Sequence, residues 1–451
     1  ARYDDLLRGR PGARVVVRDV RGEERELISD LEPRAGRDLE LTIDVDQQQA
    51  AEKALDEAVA RHGDERSGAA AVIFEIRSGE VLALASSPRF DANRLRQRTY
   101  YEGVRANPRT PQANRAMWAL PPGSTWKILS CFAMCDPSRE GSLPPDWTTV
   151  CQGAFDMRRP RRFRCEGVHG RIGMARSIQV SCNVFFFRAA EEVGLDPLAA
   201  WAERLGCGAP LGSGLPDAAG KPRGIVGERG GMVPHSTYKE ERLRRQARSV
   251  SLWCERLHDA VRRDSLDLGT LSKTVARYNH AAAWYRLYDG DQVIKPGEVR
   301  NTIIGQGDVK ATPLQVASIA ALVAGEGRFT YPRLLKQAPQ RPGSFDLDPD
   351  VLSRVQEGMR RVVTLGTASG RKIGLRELDV AGKTGTAERA GDRPNVAWFM
   401  GYYPASAPEV AFAVVVDRTK GHGGGVCGPV ARALIEAYEK ARDRQPQRGG
   451  R

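Results

Sequence analysis

The strongest constraint on the fold is a pair of strand hairpins written at opposite ends of the sequence. Near the start, Ala69 to Ile76 (Ala-Ala-Ala-Val-Ile-Phe-Glu-Ile) is an apolar run of strand length. Arg77-Ser78-Gly79-Glu80 supplies a tight turn, and Val81 to Ala85 returns as a second strand. Near the end, Asn395 to Tyr403 and Val410 to Asp417 repeat the pattern around Pro404. The intervening sequence is mostly helical in period. One helix follows Leu41-Thr42-Ile43-Asp44 and runs from Gln47 to Ala60, with Ala50, Ala54, Leu55 and Val59 at helical spacing. Another opens at the cap Thr312-Pro313 and continues from Leu314 to Val323; a third spans Pro349 to Val363. Strands at both ends with helices between predict an α+β domain, an antiparallel sheet flanked by helices that closes only when the chain ends pair.

That domain is expected over residues 41–440 of the 451. Residues 1–40 are charged and turn-rich, with a short β-like piece from Arg14 to Val20, and read as the remnant of a preceding domain. A charged stretch over about 238–290, opening Lys239-Glu240-Glu241-Arg242, interrupts the helical region as a surface insertion, and the Arg/Gln/Gly-rich end, 441–451, reads as a disordered tail. With 41% apolar and 28% charged residues the chain is globular in composition. The net charge of +13 suits an anionic surface or polymer. The basic runs Arg158 to Arg164 and Arg242 to Arg248 are scattered, with few interleaved aromatics and no nucleic-acid motif, so no nucleic-acid partner is expected. No window approaches the roughly 20 apolar residues that span a bilayer. The sequence begins at Ala1 rather than Met, so an anchoring segment is expected outside it.

Three short elements carry chemistry. In Pro121-Pro122-Gly123-Ser124-Thr125-Trp126-Lys127-Ile128, Ser124 stands at a helix start and Lys127 three residues on, on one face. A serine hydroxyl is a weak nucleophile until a base takes its proton, and a lysine whose pKa burial lowers can be that base. Alone the signal is weak, because roughly one or two Ser-x-x-Lys matches arise by chance in a chain this long. Ser181-Cys182-Asn183 precedes the apolar Val184-Phe185-Phe186-Phe187; a serine and an amide two apart can relay a proton and hold a substrate amide. Ala381-Gly382-Lys383-Thr384-Gly385-Thr386-Ala387 precedes the late hairpin, its glycines permitting close approach and its lysine and hydroxyls suited to a carboxylate. A phosphate loop is excluded there because position 377 is Glu rather than Gly.

In this order the three elements match the signature of penicillin-binding proteins and serine β-lactamases, with Cys182 at the central position. The chain resembles the transpeptidase domain of a class B penicillin-binding protein, with Ile304-Gly305-Gln306-Gly307, Thr312-Pro313-Leu314-Gln315 and Ser86-Ser87-Pro88 adding to the likeness. The resemblance implies that Ser124 attacks the penultimate D-Ala carbonyl of a peptidoglycan stem peptide and that Lys127 takes its proton. Ser181 and Asn183 would shuttle the proton and bind the donor. Lys383 and Thr384 would polarise the site, Thr386 would bind the terminal carboxylate beside Gly385, and the N–H groups of Ser124 and Thr386 would form the oxyanion hole. It further implies inhibition by β-lactams, a periplasmic site of action at the cytoplasmic membrane, and a membrane glycosyltransferase with elongation-complex proteins as partners. Tyr3-Asp4-Asp5-Leu6-Leu7-Arg8-Gly9 and the cysteine–histidine set look like the elongation type.

The eight cysteines are too sparse for a disulfide scaffold. Cys151, Cys165, His169 and Cys182 nevertheless give three thiols and an imidazole in a short stretch, a closed set for structural zinc. Gly167 and Gly170 let the loop fold around an ion, and some elongation-type enzymes bind zinc with carboxylates in place of two of these cysteines. A Cys151–Cys165 disulfide with Cys182 merely buried is the alternative. Cys131 and Cys135 read as core, His62, His235, His258 and His280 as surface or core histidines, and His422 as part of a flexible glycine loop near the cleft.

Two other activities share the motifs. A β-lactamase must hydrolyse its acyl-enzyme, yet no Glu-x-x-Leu-Asn element is present. A β-lactam sensor needs only acylation, but the segment before the domain argues against it. A bifunctional glycosyltransferase is not expected, since the 123 residues before Ser124 hold no such motif.

Overall fold

The computed structural model describes residues 3–444 apart from 159–162, 218–220, 226, 263–267, 290, 372 and 390–392. After a short helical turn at Asp4–Arg8 comes a two-stranded hairpin, β1 (Ala13–Arg18) and β2 (Glu24–Leu31), exposed along nearly its whole length. Helix α1 (Val45–His62) starts where the Asp44 carboxylate accepts the N–H of Gln47, and buries Ala51, Leu55, Ala58 and Val59 on one face. Strands β3 (Gly63–Glu75) and β4 (Val81–Ser87) form the early hairpin. Then come α2 (Lys127–Met134), a small hairpin of β5 (Thr149–Cys151) and β6 (Gly170–Ile172), α3 (Met174–Gln179) and α4 (Asn183–Val193).

Residues 238–289 form two antiparallel helices, α5 (Tyr238–Arg262) and α6 (Leu268–Asp289), where the sequence suggested only a charged insertion. Three helices follow: α7 (Pro296–Ile303), α8 (Pro313–Ala324) and α9 (Pro349–Thr364). Every residue of α8 is buried, and Thr312 caps its N-terminus as read from the sequence, with Gln315 closing a reciprocal pair. Thr312 Oγ1 accepts the Gln315 N–H at 3.2 Å, and Gln315 Oε1 accepts the Thr312 N–H at 2.9 Å. The chain ends with β7 (Ala381–Ala387), β8 (Asn395–Tyr403), β9 (Val410–Thr419) and α10 (Gly423–Arg444).

The main sheet has the order β4-β3-β9-β8-β7, antiparallel throughout. Thus β3 of the early hairpin pairs with β9 of the late one, Val72 opposite Ala413, and the domain closes by joining its ends as the patterns predicted. Both central strands are apolar on both faces, because α1 and α10 cover one side and α8 the other. Strand β7 lies at the edge, one side paired to β8 and the other free to line a cleft.

Two expectations need correcting. Helix α10 runs through Arg444, four residues into the stretch expected to be a disordered tail; 445–451 lie outside the described residues. His422 lies in the short loop between β9 and α10 and lines the cleft, but Gly423–Gly425, expected in the same flexible loop, form the first turn of α10, because Gly423 and Gly424 pack closely on β7 and its neighbours. A Cβ on Gly423 would lie 2.4 Å from the Gly385 oxygen.

Candidate active site

A cleft of about 910 Å³ runs between the edge strand β7 and the helical region, lined by Ser124, Ser181, Asn183, Thr384, Thr386 and His422 among others. Ser124 lies in a tight turn, Gly123–Trp126, that precedes α2, so the helix proper begins at Lys127 rather than at the serine. Two glycines make that turn possible. Gly123 has φ +55°, and a Cβ there would stand 2.9 Å from the carbonyl carbon and oxygen of Thr386. Gly305 (φ +76°) accepts the Gly123 N–H at its carbonyl, 2.9 Å away, and its own Cβ would collide with Gly123 O. The Ile304-Gly305-Gln306-Gly307 stretch is therefore the back wall of the nucleophile turn. On the other side, Gly385 presses against Pro122 O and the Thr125 backbone, which brings β7 alongside Ser124.

Two lysines converge behind the serine. Lys127 is fully buried, and its Nζ donates to Ser181 O (2.8 Å), Ser181 Oγ (3.3 Å) and Asn183 Oδ1 (2.7 Å). Lys383 is equally buried, and its Nζ donates to the same Ser181 Oγ (3.0 Å) and to Thr384 O (2.9 Å). Ser181 is thus the bridge between the two amines. It adopts φ +55°, a left-handed conformation that costs a residue with a side chain about 1–2 kcal/mol. Burial pushes Lys127 down to about 8, with the nearby cysteines and Glu166 opposing the shift. Lys383 is driven well below its ordinary value by burial and by the positive charge of Lys127. The Ser124 hydroxyl opens on the cleft, and the described residues offer it no hydrogen bond.

The remaining residues expected to bind substrate lie along β7. Thr384 Oγ1 shares a hydrogen bond with Thr367 Oγ1 at 2.5 Å, and Thr386 Oγ1 accepts the Gly423 N–H at 3.3 Å. Gly385, between them, is buried against the serine turn.

The four residues of the cysteine–histidine set also come together. Strands β5 and β6 pair Cys151 with Gly170, and the His169 N–H donates to Cys151 O. The Cys165 N–H donates to Gly153 O, Gly153 itself having φ +93°. His169 Nδ1 lies 3.4 Å from Cys151 Sγ and 3.6 Å from Cys165 Sγ, and the Cys165 and Cys182 sulfurs are 3.7 Å apart. All four donor atoms fall within 4.8 Å of one another, and all eight cysteines are free thiols, so no Cys151–Cys165 disulfide is present. The Cys182 thiol donates to Cys165, which holds Cys165 below its ordinary value and raises Cys182. These are the residues that could hold a metal ion.

Some cleft residues escaped the sequence reading. Glu166 follows Cys165 directly, Glu388 follows the Lys383–Ala387 element, and Thr367, in the turn after α9, and Asn301, in α7, carry no local signal. Adjacency to a motif would have flagged the two glutamates; nothing would have flagged Thr367. Cys131 and Cys135 are core residues as expected.

Known proteins resemble this chain over most of its length. The family model of the penicillin binding protein transpeptidase domain matches residues 69–230 and 283–436, stepping over most of the α5–α6 hairpin. The peptidoglycan D,D-transpeptidase MrdA of Acinetobacter baumannii is 28% identical over 99% of this chain. This chain spans 60% of that relative's length and 63% of the corresponding Escherichia coli protein, which is 25% identical. Among solved structures, Pseudomonas aeruginosa PBP2 in complex with WCK 5153 superposes with a TM-score of 0.67 at 27% identity, covering 91% of this chain and 80% of that one. A chain from a peptidoglycan synthase complex that coordinates polymerization and crosslinking gives 0.69 at 28%, covering 97% and 68%. With the family model matching well over half of the sequence, this chain belongs to the penicillin-binding protein transpeptidase family.

Proposed function

We propose that this chain is the catalytic domain of a peptidoglycan D,D-transpeptidase of the class B elongation type, a serine acyltransferase inhibited by β-lactams. The observation that carries the reading is the Ser181 hydroxyl held between the Lys127 and Lys383 amines beside Ser124. A neutral Lys127 keeps two N–H donors and a lone pair, and burial favours that form. In the proposed sequence Ser124 Oγ attacks the penultimate D-Ala carbonyl of a stem peptide and its proton passes to Lys127. The Ser124 and Thr386 N–H groups stabilise the oxyanion, an effect worth roughly 3–4 kcal/mol in other acyl transferases. The C–N bond to the terminal D-Ala breaks, its nitrogen receiving the proton through Ser181, and Ser124 is left as an ester. Asn183 holds the donor peptide, and Thr384 and Thr386 take its carboxylate. An acceptor amine then attacks the ester, the C–O bond to Ser124 breaks as the crosslinking amide forms, and the amine's proton passes through the lysine–serine network to the Ser124 oxygen.

Cys151, Cys165, His169 and Cys182 would hold a structural zinc ion. Their donors suit it: tetrahedral zinc with ordinary bond lengths sets sulfurs about 3.8 Å apart and sulfur and nitrogen about 3.5 Å apart. Three of the six separations, 3.7 Å, 3.4 Å and 3.6 Å, are of that size, and all six lie within 4.8 Å. The ion would supply no chemistry to the reaction beyond fixing the loop that carries Ser181 and Asn183.

The relatives named as MrdA support the elongation role, and the likeness to a chain of a peptidoglycan synthase complex supports a membrane glycosyltransferase as partner. Action on the periplasmic face fits these relatives. Among the described residues no helix is long and apolar enough to cross a membrane.

The test is acylation by a fluorescent penicillin together with D-Ala release from a peptide ending in D-Ala-D-Ala. Wild-type protein is expected to label and to release D-Ala, and Ser124→Ala to do neither. Full labelling of the alanine variant would overturn the assignment. Rapid turnover of a chromogenic β-lactam would turn it into a β-lactamase.

A further inference from the structure

We propose that the α5–α6 hairpin is a docking arm for an acidic amphipathic helix of another protein. The inference is independent of the chemistry assigned to the cleft. Among the described residues, each of these two long helices packs chiefly on the other. Two helices alone bury only one seam. Here the seam is crossed by Gln246 Nε2 donating to Ala281 O (2.9 Å) and by Arg277 over the Trp253 ring, yet Val250, Trp253, Leu257, Tyr278 and Tyr285 stay half-buried, and among the described residues of that stretch only Thr274 and Ala281 are covered. A third helix laid along the seam would complete the core that the pair cannot make.

Charge identifies the helix it would accept. Exposed basic residues on the described part of the arm outnumber exposed acidic ones eight to four. Arg245, Arg248, Leu252 and Arg256 follow one another at helical spacing and form one exposed stripe along α5. Arg256 and Arg277, one from each helix, stand over the Trp253 ring at 4.7 and 5.0 Å, so cations flank the apolar seam on both sides. A lipid surface fits less well. Leu252 and Val261 on α5 are each exposed yet nine residues apart, which puts them on opposite faces, and so are Val275 and Trp284 on α6. A helix that lies in a membrane interface needs its apolar residues on one face.

The arm is rooted beside the catalytic cleft. Lys239, 1% exposed at the start of α5, donates to Asp291 Oδ1 (2.6 Å), Glu298 Oε2 (2.8 Å) and Val293 O (3.1 Å). Glu298 belongs to the first turn of α7, and Asn301 on the same helix lines the cleft. A partner on the arm would therefore sit on an element fixed to the wall of the active site.

The test uses the whole chain and two synthetic amphipathic helices with identical leucine positions, one otherwise glutamate-rich and one lysine-rich. Fluorescence anisotropy is expected to show binding of the glutamate helix alone, weakening with salt. The triple variant R245E/R248E/R256E should weaken it by about tenfold or more, with an unchanged melting temperature as the control for folding. Equal binding of both helices, or of neither, overturns the proposal. So does capture of the chain by anionic phosphatidylglycerol vesicles in a manner the triple variant abolishes while the glutamate helix fails to bind. Self-association lost in the same variant, seen by sedimentation, would assign the arm to a second copy instead.

Discussion

The backbone N–H of Asn183 donates to the sulfur of Cys165 at 3.2 Å, so the cysteine–histidine cluster and the catalytic loop share a hydrogen bond. The Asn183 side chain reaches the same segment, donating through Nδ2 to Arg164 O (3.1 Å) while its Oδ1 accepts from Lys127. Cys182 lies between Ser181 and Asn183 with its own sulfur in the cluster. Whatever fixes the cluster fixes the hydrogen-bond acceptors of Lys127.

Metal loss is therefore expected to impair acylation while leaving Ser124 in place. Purified protein should contain about one zinc per chain, measured by elemental analysis. Cys165→Ser should lose the metal and slow labelling by a fluorescent penicillin by about tenfold or more. A zinc-free preparation that labels at the full rate would remove the structural role.

The acylation rate should depend on pH through Lys127. Its amine must be neutral to take the serine proton, and burial brings its pKa to about 8. The rate should rise as pH climbs through about 8 and level off above it, because the fraction of neutral amine grows. A Lys127→Arg variant, charged at every accessible pH, should be inactive throughout. A flat profile between pH 6 and 9, roughly the window in which such a base titrates, would exclude this lysine as the base.

Removing the bridging hydroxyl separates catalysis from stability. Ser181→Gly suits φ +55° better than serine does and should not lower the melting temperature. It leaves Lys383 with Thr384 O alone and takes one acceptor from Lys127. Acylation should fall by about 10²–10⁴-fold, the usual scale for a lost proton-transfer group. Near-normal kinetics would mean that the hydroxyl carries no proton.

Close packing of β7 on the nucleophile turn gives a steric prediction. A Cβ on Gly385 would meet Pro122 O at 2.8 Å and the Thr125 nitrogen at 3.2 Å. Gly385→Ala should push the strand off the turn, costing about 1–3 kcal/mol in thermal or denaturant unfolding and abolishing labelling. The reason is that Ser124 and Thr386 are held together through that contact.

Much of this protein was legible in its residues because the signals are local. The apolar runs and turns of the two hairpins and the helix start at Thr312-Pro313 each depend on neighbours within a few positions, and they appear close to where they were read. The three short elements named Ser124, Lys127, Ser181, Asn183 and Lys383 before any of them touched. The tertiary structure decided which atoms meet. Two buried lysine amines sharing one hydroxyl, the downward shift of both lysines, the four-donor cluster and the entry of Thr367 and Glu166 into the cleft arise between segments tens to hundreds of residues apart. Such effects depend on burial, which is a property of the packed chain. The α5–α6 hairpin shows the same divide: its charges were visible in the sequence, but only the fold shows that its seam lies half open.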